Sequence, residues 1–310
     1  MNIRDREYKV AVLVPCYNEA LTISDVFEGF RSNLPGAEIY IYDNNSSDGT
    51  YDIAVRVGAI ARKEKSQGKG NVVRRMFSDI DADIYIMVDG DGTYDSSVAR
   101  RLIDELCAGP YDMVNVARVP ENSGAYRSGH KWGNKLLTGL VQRIFGEATT
   151  DMLSGYKAFS RRYVKSFPAL SSGFEIETEL VVHALDLRLP QSEIIAPYRE
   201  RPVGSASKLR TYSDGLRILR LIGFLVKEER PLAFFSIVAG ILGLLSLLIG
   251  GPVVVEFMNT GLVPRLPRAV LATGIMGAAL LSLSSGFILD TVTRGRREAK
   301  RLAYLRYPAP

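Results

Sequence analysis

Apolar positions recur along the first 120 or so residues in two alternating rhythms. Short apolar runs at Lys9–Val14, Glu38–Tyr42 and Ile84–Val88 have the length of buried strands and stop at proline or at clusters of turn residues. Between and after them, Ala20–Leu34, Tyr51–Val57, Asn71–Ile80 and Ser97–Ala108 repeat apolar residues at helical spacing. Met113–Ala117 reads as a weaker strand. This alternation predicts an α/β domain with a mostly parallel sheet covered on both faces. Ligands of such sheets bind beyond the carboxyl ends of the strands, where Asn18, Asp43 and the Asp89/Asp91 pair all fall. Later the pattern loosens. Gly129–Phe145 and Phe174–Leu187 are helical, Thr149–Tyr156 is rich in turn residues, and Glu193–Tyr198 is a late strand.

A different pattern begins near residue 213. Ser213–Lys227 interleaves leucines with Arg217 and Arg220, an amphipathic basic helix suited to a lipid headgroup layer. Leu232–Val255 and Ala269–Leu289 then contain no charged residue. Each is long enough to cross about 30 Å of hydrocarbon as a helix. Buried helices of soluble proteins seldom run so far without a charge, and neither run is placed as a cleavable signal. Gly240, Gly243 and the small residues of Ser282–Gly286 predict close packing of the two spans. The expected organisation is a cytosolic domain over 1–212, an interfacial helix over 213–230, two transmembrane helices within 231–290 and a basic tail over 291–310.

The net charge of +5 reinforces that division. Residues 199–230 carry eight Lys/Arg against four Asp/Glu, and residues 294–306 carry six against one. The connection Glu256–Arg268 holds only Arg265 and Arg268 as cations. The positive-inside rule therefore predicts an integral protein of a plasma or inner membrane with both large ends in the cytoplasm. A basic collar confined to the membrane edge suits anionic lipids and argues against nucleic acid as a partner. Cys16 and Cys107, in the part assigned to the cytosol, read as thiols, and with only His130 and His183 no Cys/His zinc site is visible.

Chemistry concentrates at the strand ends. In Val88-Asp89-Gly90-Asp91-Gly92, two carboxylates one residue apart can hold a hard divalent ion together with substrate phosphates. Gly90 and Gly92 let the backbone turn sharply. A plain Asp-Gly turn is the alternative; an EF-hand is not, because Thr93 replaces its next acid and no glutamate closes the loop. In Val14-Pro15-Cys16-Tyr17-Asn18-Glu19 and at Asp43, a carboxylate can meet a base or ribose edge and Tyr17 a base face. Gln67-Gly68-Lys69-Gly70-Asn71 opens a helix without matching a P-loop, and suits either an anionic group or an exposed basic cap.

Taken in order, VPCYNE from Val14, DNNSSDGT from Asp43, GKGNVVR from Gly68, DGDG from Asp89, DMLSGYKAFSRR from Asp151 and RPVGSASK from Arg201 resemble the inverting family-two glycosyltransferases. Within them the chain is most similar to the polyprenyl-phosphate group, the dolichol-phosphate mannose synthase type, over roughly residues 8–210. The resemblance implies a GT-A-type, Rossmann-like domain followed by a two-helix membrane hairpin. It implies that Pro15, Tyr17, Glu19 and Asp43 hold the nucleoside, that Lys69 lies near the nucleotide, and that Asp89 and Asp91 bind Mg²⁺ or Mn²⁺ on the diphosphate. Asp151 takes a catalytic place in the sugar or acceptor pocket, and Arg118, Arg201, Ser205 and Lys208 gather an acceptor phosphate. Many relatives carry glutamine where this chain has Thr93, which leaves its part in the metal shell open. The Gln-x-x-Arg-Trp signature of processive synthases is absent, and the single tryptophan is Trp132. The implied reaction transfers sugar from a nucleotide sugar, UDP-linked in preference to GDP-mannose, to a polyprenyl phosphate destined for cell-envelope glycan. A sugar hydroxyl on a glycolipid as acceptor and an inactive nucleotide-binding membrane scaffold are the alternatives; small residues in the spans also admit a homo-oligomer.

Overall fold

Seven consecutive residues of the chain, VAVLVPC, are buried on both sides, and this explains why they show no polar alternation. They form β3 (Val10–Cys16), the strand around which the main sheet is built. The computed structural model describes residues 1–3, 6–109, 111–120, 149–202 and 230–310, with isolated positions at 139, 220, 223, 224, 227 and 228. A small hairpin of β1 (Asn2–Ile3) and β2 (Arg6–Glu7) precedes β3. β4 (Glu38–Asp43) and β6 (Ile84–Met87) flank it in parallel, and β5 (Ile60–Lys63) runs parallel beyond β4. On the other side, β8 (Lys157–Ser160) lies antiparallel between β6 and β7 (Met113–Pro120). β9 (Gln191–Tyr198) closes the sheet parallel to β7, giving the order β5-β4-β3-β6-β8-β7-β9.

The sheet is thus mostly parallel, as the alternation predicts, with one reversed strand. Pro15 does not end β3, which continues to Cys16 in register with Asp43. Helices α1 (Ile23–Asn33), α2 (Thr50–Arg56), α3 (Lys69–Asp79) and α4 (Val98–Ala108) cover it. α1 buries Ile23, Val26, Phe27 and Phe30, and α4 buries Ala99, Leu102, Ile103 and Leu106, the one-face spacing of a surface helix. α5 (Arg161–Ser166) is capped by Ser160, whose Oγ accepts the Tyr163 N–H at 3.2 Å, and α6 (Ile176–Leu187) follows. The helix expected over 129–145 and the interfacial helix expected over 213–227 fall largely outside the described residues.

The chain divides into two compact units, Met1–Leu219 with Lys300–Pro310, and Arg220–Ala299. The second is built on α7 (Pro231–Thr260) and α8 (Leu266–Tyr304), both long and apolar enough to cross a membrane. α8 does not stop with its apolar run at Leu289 but continues through the basic stretch, since arginine, lysine and alanine are good helix formers. Small residues bring the two helices together. A Cβ at Gly286 would lie 3.0 Å from that of Phe235, and one at Gly250 would lie 3.0 Å from that of Ala272. Ser246 Oγ donates to the Ala272 carbonyl (2.8 Å) and Ser282 Oγ to that of Phe235 (3.2 Å). Gly240 and Gly243, expected at this contact, have nothing within 4 Å of where a Cβ would stand, and Gly250 takes their place.

In the sheet unit, Asp112 enters β7 fully buried and gathers donors from three side chains. Its oxygens accept Ser160 Oγ (2.6 Å), the Arg162 guanidinium (2.6 and 3.0 Å) and the Tyr304 hydroxyl (2.8 Å). The chain's last residues are thereby tied to β7 and β8. Replacing Asp112 by alanine strands the Arg162 charge, so Asp112→Ala is expected to lower stability by about 3–5 kcal/mol. Denaturant unfolding of the detergent-solubilised protein measures this.

Candidate active site

The carboxyl ends of β3, β4 and β6 meet where neighbours leave β3 in opposite directions, the crevice such sheets offer to a ligand. Beyond β3 the chain turns at Asn18, whose φ of 52° is left-handed, a conformation asparagine tolerates well. Asn18 Oδ1 accepts the Ser47 N–H (2.8 Å) and its own N–H donates to Ser46 Oγ (2.8 Å), locking the two strand-end loops together. Pro15 is buried within β3, Glu19 is buried with its N–H on Thr50 Oγ1 (2.9 Å), and Tyr17 is exposed. Asp43, 2 % exposed, accepts the Ser46 N–H on Oδ2 (3.2 Å) while Oδ1 has no hydrogen-bond partner among the described residues. A buried acceptor without a donor is an unmet demand that a ligand N–H or O–H satisfies.

β6 delivers Asp89 and Asp91. Asp89 is ion-paired with Lys69, which also contacts Glu177 (2.5 Å). Burial by itself lowers the Lys69 ammonium, but the two carboxylates outweigh it and hold it above its ordinary range. Burial and the Asp89 charge raise the Glu177 carboxyl, against the pull of Lys69. Gly68 and Gly70 serve packing at this point: side chains there would collide with the Ser171 and Ser172 carbonyls, and the Gly70 N–H donates to the Gly173 carbonyl (3.2 Å). The start of α3 is thus capped by the segment 171–173. Asp91, 2 % exposed, accepts the Thr93 hydroxyl on Oδ1 (2.6 Å) and meets Arg201 on Oδ2 (2.6 Å). No three His, Cys, Asp or Glu side chains form a metal cage among the described residues. Two carboxylates at one strand end, with their remaining positions left to phosphate and water, fit a nucleotide-bound Mg²⁺ or Mn²⁺.

Asp151 stands on the β7 side. The Arg118 guanidinium grips it with two bonds (2.6 and 2.8 Å), and the Arg118 N–H adds a third (3.2 Å). Arg118 also sits over the Tyr198 ring, 5.3 Å from its centroid. The structure therefore brings Asp89 to Lys69, Asp91 to Arg201 and Asp151 to Arg118. Ser205 and Lys208 lie outside the described residues. Several supporting residues escape the sequence reading. Glu177 reaches Lys69 across 108 positions, and Glu193 holds the turn before Asp151 through the Thr150 N–H and hydroxyl (2.9 and 2.7 Å). Lys157, fully buried, donates to Asn115 Oδ1 and the Met152 carbonyl; burial lowers it to about 8, against the charges of Glu177 and Asp151. Their only common signal is position in the late, loosely patterned part of the chain.

Residues 11–167 match the profile of glycosyl transferase family 2. Glycosyltransferase AglJ of Haloferax volcanii is 34% identical over 229 residues, 73% of this chain and 75% of that protein. The dolichol-phosphate mannosyltransferase of Pyrococcus furiosus is 24% identical over 296 residues, 92% of this chain and 80% of that protein. In fold, the chain is similar to the Mycobacterium tuberculosis glucosyl-3-phosphoglycerate synthase solved with Mn²⁺, UDP-glucose and phosphoglyceric acid. The TM-score is 0.55 at 21% identity, covering 68% of this chain and 77% of that one.

Two outcomes follow from the packing. A side chain at Gly155 would collide with the Asp89 carboxylate. Gly155→Ala is therefore expected to keep its circular-dichroism spectrum and lose at least about tenfold in activity, since displacing a site group by as little as about 1 Å costs rate steeply. The second concerns Lys157. Its folded pKa lies below the lysine reference of about 10.4, so between about 8 and that value the folded chain holds fewer protons than the unfolded one. Lys157 thus makes stability rise with pH across this window, and its cost is fully present below it. Urea unfolding between roughly pH 7.5 and roughly pH 9.5 is expected to show this rise in wild type and its absence in Lys157→Met.

Proposed function

The chain belongs to glycosyl transferase family 2, and from that premise we propose that it transfers a sugar from a nucleotide sugar to a polyprenyl phosphate at the cytosolic face of a membrane. The observation that carries this reading is the contact of Asp91 with Arg201, which sets a donor-side carboxylate against an acceptor-side cation at one sheet edge. The buried, unsatisfied Oδ1 of Asp43 supports a nucleoside beyond β4, with Tyr17 beside it and Pro15 and Glu19 shaping the turn. A UDP-sugar is favoured over GDP-mannose as the donor. Asp89 and Asp91 would hold Mg²⁺ or Mn²⁺, which supplies charge neutralisation of the leaving diphosphate.

The protein's own groups do the rest. Arg118 and Arg201, with Ser205 and Lys208, gather the acceptor phosphate and aim one oxygen at the anomeric carbon. That oxygen forms the new bond as the bond to the diphosphate breaks, so the configuration inverts. A phosphate monoester has a second pKa of about 6 and is largely dianionic at neutral pH, so no strong base is required. This agrees with Asp151, whose two oxygens both accept from Arg118. Asp151 acts by holding Arg118 in place, and the fixed charges supply most of the rate. That arrangement favours a phosphate acceptor over a sugar hydroxyl. The apolar, largely exposed faces of α7 and α8 support membrane insertion, with Leu248 66% and Leu281 71% exposed. The basic residues around them support a cytosolic catalytic unit.

Membranes supplied with radiolabelled UDP-sugars, GDP-mannose and polyprenyl phosphate test the reading. Label is expected in an organic-soluble product labile to mild acid, abolished by chelation and restored by Mn²⁺ or Mg²⁺. Asp91→Ala is expected to lose about 100-fold or more in transfer rate. Full activity of that variant would sink the metal assignment, and a product stable to mild acid would point to a hydroxyl acceptor.

A further inference from the structure

Thr93 is completely buried, yet it makes more polar connections than a packing residue needs. Its hydroxyl donates to Asp91 Oδ1 at 2.6 Å, and its backbone N–H donates to the same oxygen at 3.2 Å. The left-handed turn at Gly92, φ 73°, folds the chain back so that both donors reach one carboxylate oxygen. Asp91 Oδ2 then faces Arg201. On its other side the Thr93 carbonyl accepts the Arg199 N–H at 2.9 Å, and Tyr94 pairs antiparallel with Tyr198. One residue thus joins the Asp89–Asp91 loop to the segment that carries Arg201.

The torsion that sets a carboxylate plane is broad and two-fold, so an unrestrained Asp91 would share its oxygens between many orientations. Two donors on Oδ1 remove that freedom and thereby fix where Oδ2, paired with Arg201 at 2.6 Å, lies. The Thr93 hydroxyl proton, meanwhile, is committed to Asp91. We infer that Thr93 is a positioning residue for the divalent ion and not one of its ligands: it would fix the plane of the Asp91 carboxylate through Oδ1 and tie that carboxylate to the segment carrying Arg201. The inference rests on the reading that Asp89 and Asp91 hold a metal with the nucleotide. It also explains how a short hydroxyl side chain serves at this position without reaching the ion. Outer partners that orient a ligating carboxylate are worth about 10–100-fold in metal affinity.

The test is Mn²⁺ binding in the presence of UDP, followed by electron paramagnetic resonance on the purified full chain. Thr93→Val keeps the shape and removes the hydroxyl; it is expected to weaken Mn²⁺ binding about tenfold. Thr93→Ser retains the hydroxyl donor to Asp91 and is expected to stay within about twofold of wild type. The number of water molecules on bound Mn²⁺, counted with ¹⁷O-labelled water, is expected to be the same in wild type and Thr93→Val. Equal affinity of wild type and Thr93→Val overturns the inference, and so does an extra water in the variant, because it would fill a position left by a ligand. Should Thr93→Val fail to fold, Thr93→Cys, with a weaker donor of similar size, must still lose about threefold or more. Wild-type protein that binds no Mn²⁺ with UDP instead overturns the metal reading itself.

Discussion

Three carboxylates, Asp89, Asp91 and Asp151, stand at one end of a sheet whose interior is apolar, and each has a cation against it. Lys69 meets Asp89, Arg201 meets Asp91 and Arg118 meets Asp151. An isolated carboxylate so placed would take up a proton or destabilise the fold by several kcal/mol. Pairing is therefore a condition of having this site at all, and much of the surrounding architecture follows from it. Lys69 can be buried because Glu177 balances it from α6, and α3 can start there because Gly68 and Gly70 leave room for the backbone of residues 171–173. Gly155 is bare because the Asp89 carboxylate occupies the space a side chain would need.

The same pairing prepares the site electrically. Under the proposed function, a donor diphosphate and its ion enter a place where Asp89, Asp91 and Asp151 already have cationic partners, so little net charge is brought into a poorly solvated crevice. Arg118 is held in a forked grip that fixes its plane, and it stacks over Tyr198. A guanidinium so restrained loses little freedom when it binds phosphate. Preorganised cations of this kind stabilise charge without reorganising during the reaction, which is where most of the rate in such a mechanism arises.

The sequence exposes one half of each ion pair more readily than the other. Strands β3, β4 and β6 are continuous apolar runs, and their carboxylates lie at abrupt turns, so strand, end and acid are readable together. β5 and β8 are not. Each has only four residues; β5 is an exposed edge, and β8 buries Lys157 and Ser160, so neither presents an apolar run. The partners of the acids come from far along the chain, Glu177 at 108 positions from Lys69 and Arg118 at 33 from Asp151, and no local rhythm encodes such pairings. Gly68 and Gly70 illustrate the limit most directly. Locally they look like a cradle for an anion, while in three dimensions they admit another stretch of backbone. The close contacts of α7 and α8 have the same character, since small residues are abundant in both helices and only packing selects Gly250 and Gly286 from among them.

The order of elements adds a final constraint. β7 and β9 run side by side through eight paired positions; Arg118 lies within β7 and Arg201 just past the end of β9. β9 is also the last strand among the described residues, and the next fully described element along the chain is the first apolar helix, α7. Under the proposed function, the acceptor side of the site is thus the part of the sheet nearest in sequence to the apolar helices, while the nucleotide side is built from the earliest strands. Within that plan, Thr93 is one point where the early half of the site touches the late half, its hydroxyl on Asp91 and its carbonyl on Arg199. Together with the Asp91–Arg201 and Lys69–Glu177 ion pairs, this turn couples the early strands to the late segment.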